Sequence, residues 1–288
     1  MRGMVALAVA AVGCGRIDFD PVPGGASCNW SGGPRLFNEH VRDDVSTPLL
    51  DSDPHLVRGD PLTLLFASDT MTDSAEIYTA HRTGLDAPFD PPTLITELST
   101  TAGENGLVLD RSGHGYFARE IGGDQELVEV QRSAGLLQIV RELDELNGPL
   151  NQNDPYPSPD GLWLWFATDT VSAKQDIMLA HRPDRSAAWG NVEPFEYNTS
   201  EGEASPTLTD DQRVVLWAGR SPDGTNGDIY YATRPTIEDP WSAPERLALE
   251  TDIHENEPSI RGDGCELFFV RSLSSMSLDW NIYSVDIE

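Results

Sequence analysis

The chain of 288 residues carries 48 Asp and Glu against 19 Lys and Arg, a formal net charge of −29. That balance argues against a nucleic-acid partner, because phosphate backbones are held by cationic side chains that neutralise them. Hydrophobic residues at 39% and aromatics at 8% argue against disorder, and the length suits two ordinary domains or one large all-β domain.

Residues 1–13 read MRGMVALAVAAVG, one arginine followed by small apolar residues. The stretch is too short to span a bilayer as a helix and is expected to be an export signal. It ends in Ala11-Val12-Gly13-Cys14, which resembles the bacterial lipoprotein signal, where small residues precede a cysteine. The resemblance implies cleavage before Cys14 and acylation of its amine and thiol, with palmitate-like chains as the membrane anchor; each buried methylene contributes roughly 0.8 kcal/mol. Gly15 stands where an aspartate is associated with inner-membrane retention. The resemblance therefore implies the outer membrane of a bacterial envelope, on its periplasmic or surface face. Residues 14–27, rich in Pro and Gly, read as a lipidated tether.

From residue 28 to 288 the chain repeats itself. Apolar stretches recur around Phe66, Phe117, Phe166, Trp217 and Phe269, which stand 51, 49, 51 and 52 residues apart. Each is preceded by a strand start marked by Pro54, Pro155, Pro206 or Pro258, with Gly106 taken to fill that place in the second unit. Proline suits the first residue of a strand because it has no N–H to give to the ladder. Turns such as Ser158-Pro159-Asp160-Gly161 and Gly262-Asp263-Gly264 then make a hairpin.

A third strand follows in every unit, as Glu76-Ile77-Tyr78, Glu126-Leu127-Val128, Asp176-Ile177-Met178, Asp228-Ile229-Tyr230 and Asn281-Ile282-Tyr283. A fourth is expected at 89–95, 189–195 and 241–247, in degenerate form at 135–140. The fifth unit runs out of chain before its fourth strand, and Trp30-Ser31-Gly32-Gly33-Pro34-Arg35-Leu36 supplies the same pattern at the other end. Four short strands repeated every fifty or so residues, with no amphipathic helix between them, predict an all-β five-bladed β-propeller of four-stranded antiparallel blades. The N-terminal strand completes the last blade, and closure removes free sheet edges.

That closure places Cys28 at the start of an outermost strand and Cys265 near a turn on the same side of the same blade. Two readings stand: a disulfide stapling the ring, suited to an exported protein, or two free thiols.

The units Pro155-Tyr156-Pro157-Ser158-Pro159-Asp160-Gly161, Phe166-Ala167-Thr168 and Asp176-Ile177, with Phe66-Ala67-Ser68, Glu76-Ile77-Tyr78 and Asp228-Ile229-Tyr230, resemble the TolB-like propeller repeats of bacterial periplasmic and surface proteins. The resemblance covers residues 44 to 288 and implies the fold, while proteins with such repeats differ in function.

Candidate site residues lie in the loops that lead into each innermost strand, where radial repetition points them at a common axis. The expected ring is Asp53, Glu104, Asp154, Glu203 and Glu257, flanked by Asp51, Asn105, Asn153, Glu201, His254 and Glu255. Carboxylates so arranged suit a divalent cation such as calcium, a basic peptide or another polar ligand. The alternative is that they accept hydrogen bonds from backbone donors and fill a hydrated channel.

An enzyme reading, a glycan-binding or glycoside hydrolase-like protein with two carboxylates in the funnel, needs groups roughly 5 to 9.5 Å apart. Recurrence of acids in every unit weighs against it, since catalytic groups are asymmetric. His81 and His181 share one repeat position, and His40, His55, His114 and His254 form no zinc-binding spacing. Arg82, Arg132, Arg182 and Arg234 are expected to pair with neighbouring acids. The expectation is a monomeric binding module for an envelope protein, peptide or glycan, with no catalytic residue and no cofactor beyond that cation.

Overall fold

The computed structural model describes residues 28–47, 49–69, 74–169, 174–220, 227–249, 253–272 and 280–288. The export segment, Cys14 and the tether lie outside the described residues. No helix among the described residues is long and apolar enough to cross a membrane.

Five four-stranded antiparallel sheets are arranged as blades around one axis. The innermost strands are Asp51–Val57, Glu104–Leu109, Gln152–Pro157, Glu203–Leu208 and Glu255–Ile260. The second strands carry the repeating aromatics, and each aromatic sits opposite a third-strand residue: Phe66 faces Tyr78, Phe117 Val128, Phe166 Met178, Trp217 Tyr230 and Phe269 Tyr283. All five are buried.

Runs such as Leu64-Leu65-Phe66-Ala67 are apolar without alternation because both faces of a blade are covered. Leu64 and Phe66 pack with Phe268, Val270 and Ile282 of the last blade, while Leu65 packs with Leu107, Phe117 and Val128 of the second. Three further clusters fill the other seams. The core is thus distributed between blades, and burying each such side chain contributes ~1.5–3 kcal/mol.

The ring closes as the sequence implies, with one correction. Residues 30–35 are not a strand; the outer strand of the last blade is Leu36–Val41, with Leu36 opposite Ile287 and Val41 opposite Tyr283. Trp30 instead enters the core edge-on to Tyr231 of the preceding blade, ring centroids 5.2 Å apart, and its Nε1–H donates to the Gly264 carbonyl at 3.0 Å. Cys28 and Cys265 are joined by a disulfide with Cα atoms 5.1 Å apart.

The outer strands reverse another expectation. Strands at Thr93–Leu94 and Glu245–Arg246 are only two residues long, whereas the segment read as degenerate forms the seven-residue strand Leu136–Glu142. Phe89, Trp189 and Trp241, which stand ahead of the outer strands of their blades, lie under Arg82, Arg182 and Arg234, with ring centroids 5.0, 4.1 and 4.0 Å from the guanidinium carbons. Prolines 91, 92 and 244 also withhold donors. The second blade has neither device, so its outer strand pairs along its full length. These arginines are therefore aromatic-stacked; within this set only Arg82 also makes a described ion pair, to Glu266.

Candidate functional site

Each innermost strand carries a bulge at one position, between Ser52 and His55, Asn105 and Val108, Asn153 and Tyr156, Ala204 and Thr207, and Asn256 and Ser259. Inside each bulge one residue adopts positive φ: Asp53 at 49°, Gly106 at 62°, Asp154 at 52°, Ser205 at 52° and Glu257 at 52°. A bulge re-aims a side chain, and these five residues stand around the axis. In four units the next residue is proline, which disfavours the right-handed helical conformation just before it. Gly106 therefore matches the acids rather than the prolines, and Leu107 takes the proline's place.

The structure divides the expected ring. Asp53, Asp154 and Glu257 line an axial cavity of about 310 Å³ together with a further acid, Asp69 of the first blade, and with Ser52, Asn105, Asn153, Ser205, Asn256 and Gln175. Glu104 and Glu203 lie two positions earlier, in register with Asp51, Gln152 and Glu255, and turn into the preceding loops. Glu203 accepts from Thr199 N and Oγ1, both at 2.6 Å. Asp51 does the same with Thr47 at 2.7 and 2.9 Å, and Glu104 takes Thr100 Oγ1 at 2.5 Å and Arg119 Nε at 3.0 Å. His254 accepts from Gly227 N at 2.7 Å, and Glu201 pairs with Lys174 at 3.1 Å. These groups hold loops.

The cavity is consequently asymmetric, with carboxylates from blades one, three and five and none from blades two and four. Asp53, Asp154 and Glu257 each link to the backbone of the following blade. Asp53 accepts from Gly106 N–H, Asp154 from Ser205 N at 2.9 Å and Oγ at 3.0 Å, and Glu257 from Asp53 N at 2.7 Å. Burial, then the charges of Glu257 and Asp154, push Asp53 well above the usual carboxylate range. Burial and Asp154 push Glu257 up to about 8. Burial also raises Asp154, against the opposing hydrogen bonds from Ser205. Like charges held together out of water favour the protonated form.

Beneath the cavity, Arg58 of the first blade reaches across the axis. Its Nη1 donates to the Pro157 carbonyl at 2.8 Å, its Nε lies 3.4 Å from Asp210 Oδ1, and its guanidinium carbon is 5.0 Å from the Tyr156 ring centroid. His55 and Ser259 meet there at 3.1 Å. This floor leaves the cavity open on the opposite face, where the innermost strands begin. Asn105 and Asn153, read beside the ring, do line the cavity, whereas Arg58, Asp69, Gly106, Gln175, Ser205 and Asn256 were not legible as site residues; aligning the units on their prolines singles out the residue before each and recovers Ser205 along with Asp53, Asp154 and Glu257.

Among the described residues no three His, Cys, Asp or Glu side chains converge closely enough to hold one metal ion.

The sequence matches no family model, and a search of curated proteins finds no match. Solved structures share the fold. A thermostable family-43 glycoside hydrolase is 12% identical with a TM-score of 0.56, over 86% of this chain and 92% of that one. The α-L-arabinofuranosidase PaAbf62A from Podospora anserina is 11% identical with a TM-score of 0.56, over 85% and 96%. TolB from Acinetobacter baumannii is 14% identical with a TM-score of 0.50, over 83% of this chain and 55% of that one. At such identities the likeness is one of fold. The chain is an all-β five-bladed propeller, a fold it shares with TolB and with glycoside hydrolases alike.

Proposed function

We propose that the protein is a binding module whose ligand sits in the axial cavity. The observation that carries this is the wall itself: Asp53, buried, and Asp154 and Glu257, partly buried, are held by backbone donors around a polar cavity that Asp69 also lines. Burying carboxyls costs free energy unless they are compensated, and a ligand that supplies the compensation is bound by that same free energy. Residues 1–14 support a place at the bacterial envelope, with Cys14 as the lipid anchor. Thermal-shift screening of sugars, short peptides and amines against the full chain tests the module: cavity ligands raise the melting temperature, and Asp154→Asn reduces the rise. Screening hits insensitive to Asp154→Asn, Asp53→Asn and Glu257→Gln alike would place binding elsewhere. Cys14→Ser tests the anchor and is expected to release the protein from the membrane fraction.

A second reading, a glycoside hydrolase-like enzyme, is favoured by the pairing of a carboxyl that stays protonated near neutral pH, Glu257, with further carboxyls in one funnel. A general acid requires that protonation state. Its test is release of reducing sugar from arabinoxylan and aryl arabinosides: release lost in Glu257→Gln establishes the enzyme, and no release from either substrate removes this reading.

A further inference from the structure

We propose that the group bound in the cavity is an organic cation, a primary ammonium or guanidinium, seated between Asp53 and Glu257, with the amides of Asn105 and Asn153 turned so that their oxygens accept from it. This rests on the cavity being the ligand site and names the chemistry it takes.

Two independent observations meet here. The first is charge: four carboxyls, Asp53, Asp69, Asp154 and Glu257, line the cavity, and no Lys, Arg or His is among its lining residues. Asp53 and Glu257 are tied to each other through the Asp53 N–H, so the fifth and first blades bring two acids to one side of the axis. The second is an unmet hydrogen-bonding requirement. Asn105 and Asn153 line the cavity, and Oδ1 of each is out of contact with solvent and has no hydrogen-bond partner, so it meets a cavity ligand once the amide turns toward it. Buried polar atoms are ordinarily paired, and an unpaired one costs ~1–3 kcal/mol. What the wall lacks is therefore donors that carry positive charge.

An ammonium supplies three donors and no acceptor, and a guanidinium five donors in a fork. Either satisfies amide oxygens and carboxylates together. A bare metal ion fits less well, because the cavity acids do not converge on one coordination point. A volume of about 310 Å³ has room for roughly ten waters at ~30 Å³ each, enough for a cationic head and a short aliphatic stem. The overall charge of −29 draws such ligands toward the protein.

The cation has two sources, a free amine or a basic side chain of a peptide, and one probe represents each. Calorimetric titration of the full chain uses 1,4-diaminobutane and the tripeptide Gly-Lys-Gly, with 1,4-butanediol and glucose as neutral controls. At least one cationic probe is expected to bind, and to weaken by about tenfold or more in Asp53→Asn/Glu257→Gln, the range set by charge-assisted hydrogen bonds. These isosteric changes keep an acceptor for the Asp53 N–H, and circular dichroism verifies their fold. Asn153→Ala is expected to weaken the same probe, and the exposed Asp184→Asn to leave it unchanged. Binding to a buried pair persists when salt screens the surface.

Failure of both cationic probes to bind overturns the inference, as does binding equal in wild type and the double variant or lost with moderate salt. Glucose binding that Asp154→Asn weakens, with no amine binding, overturns the cation while leaving the binding module standing.

Discussion

Arg82 and Glu266 meet across the seam between the first and last blades, Nη1 to Oε1 at 2.8 Å and Nη2 to Oε2 at 2.7 Å. Arg82 is fully buried, stacks on Phe89 and also donates to the Pro61 and Leu85 carbonyls. Removing one member leaves a charge inside the seam. Glu266→Gln is expected to cost about 3–5 kcal/mol in urea unfolding, and the apolar double replacement Arg82→Met/Glu266→Leu to recover much of that loss. A double variant no more stable than the single one would show that the pair itself, rather than its completeness, holds the seam.

The Cys28–Cys265 disulfide joins residues 237 apart in sequence, so it constrains nearly the whole unfolded chain. Cys28→Ser/Cys265→Ser is expected to lower stability by about 2–4 kcal/mol, while the far-ultraviolet circular dichroism of the folded state stays unchanged. Calorimetry of the oxidised protein and the variant checks both statements.

Opposite pH dependences come from two residues on one strand and from a neighbour. His55 is buried and pushed down from 6.5 to about 4, so between those values the unfolded chain binds more protons and stability is lost as pH falls. Glu257 is raised from 4.5 to about 8 and Asp53 is raised as well. There the native state binds more protons, and stability declines as pH rises through that window. Unfolding curves from about pH 4 to pH 9 are expected to show a maximum in the mildly acidic range. Glu257→Gln flattens the alkaline limb and His55→Gln the acid limb. An alkaline limb unchanged in Glu257→Gln removes that assignment.

Gly106 shares its backbone conformation with Asp53, Asp154, Ser205 and Glu257, and the nearest atoms to a Cβ placed on it are Pro155 Cδ at 3.5 Å and the Asp154 backbone at 3.7 Å, ordinary contact distances. Asparagine tolerates that region better than most residues. Gly106→Asn is expected to cost no more than about 1 kcal/mol, whereas Gly115→Ala is expected to disrupt the second blade, because its Cβ would collide with the Val108 carbonyl. Thermal melts of the two variants make the comparison.

The architecture was legible because the aromatics of the second strands recur at a near-constant interval and each must be buried from both sides. The outer strands were less legible. Trp189 stacks on Arg182, which comes from the neighbouring strand's end, and a local pattern of tryptophan and proline does not carry that information. At the cavity, the acids were read at the right loops but in mixed register. Glu104 and Glu203 are as acidic as Asp154, and what separates them is a single left-handed residue two positions on. Proline marks that residue in four units, and its absence beside Gly106 hid the second blade's place in the ring. Arg58 gave no signal, since its partners, Pro157 and Asp210, belong to other blades.

The bond between Cys28 and Cys265 also fixes a direction. Cys265 sits at the turn joining the first two strands of the last blade, on the face where Arg58 crosses the axis, so the polypeptide enters the ring from beneath its floor. The first described residues are thus pinned on the opposite side of the ring from the cavity mouth, where they leave the way into it clear.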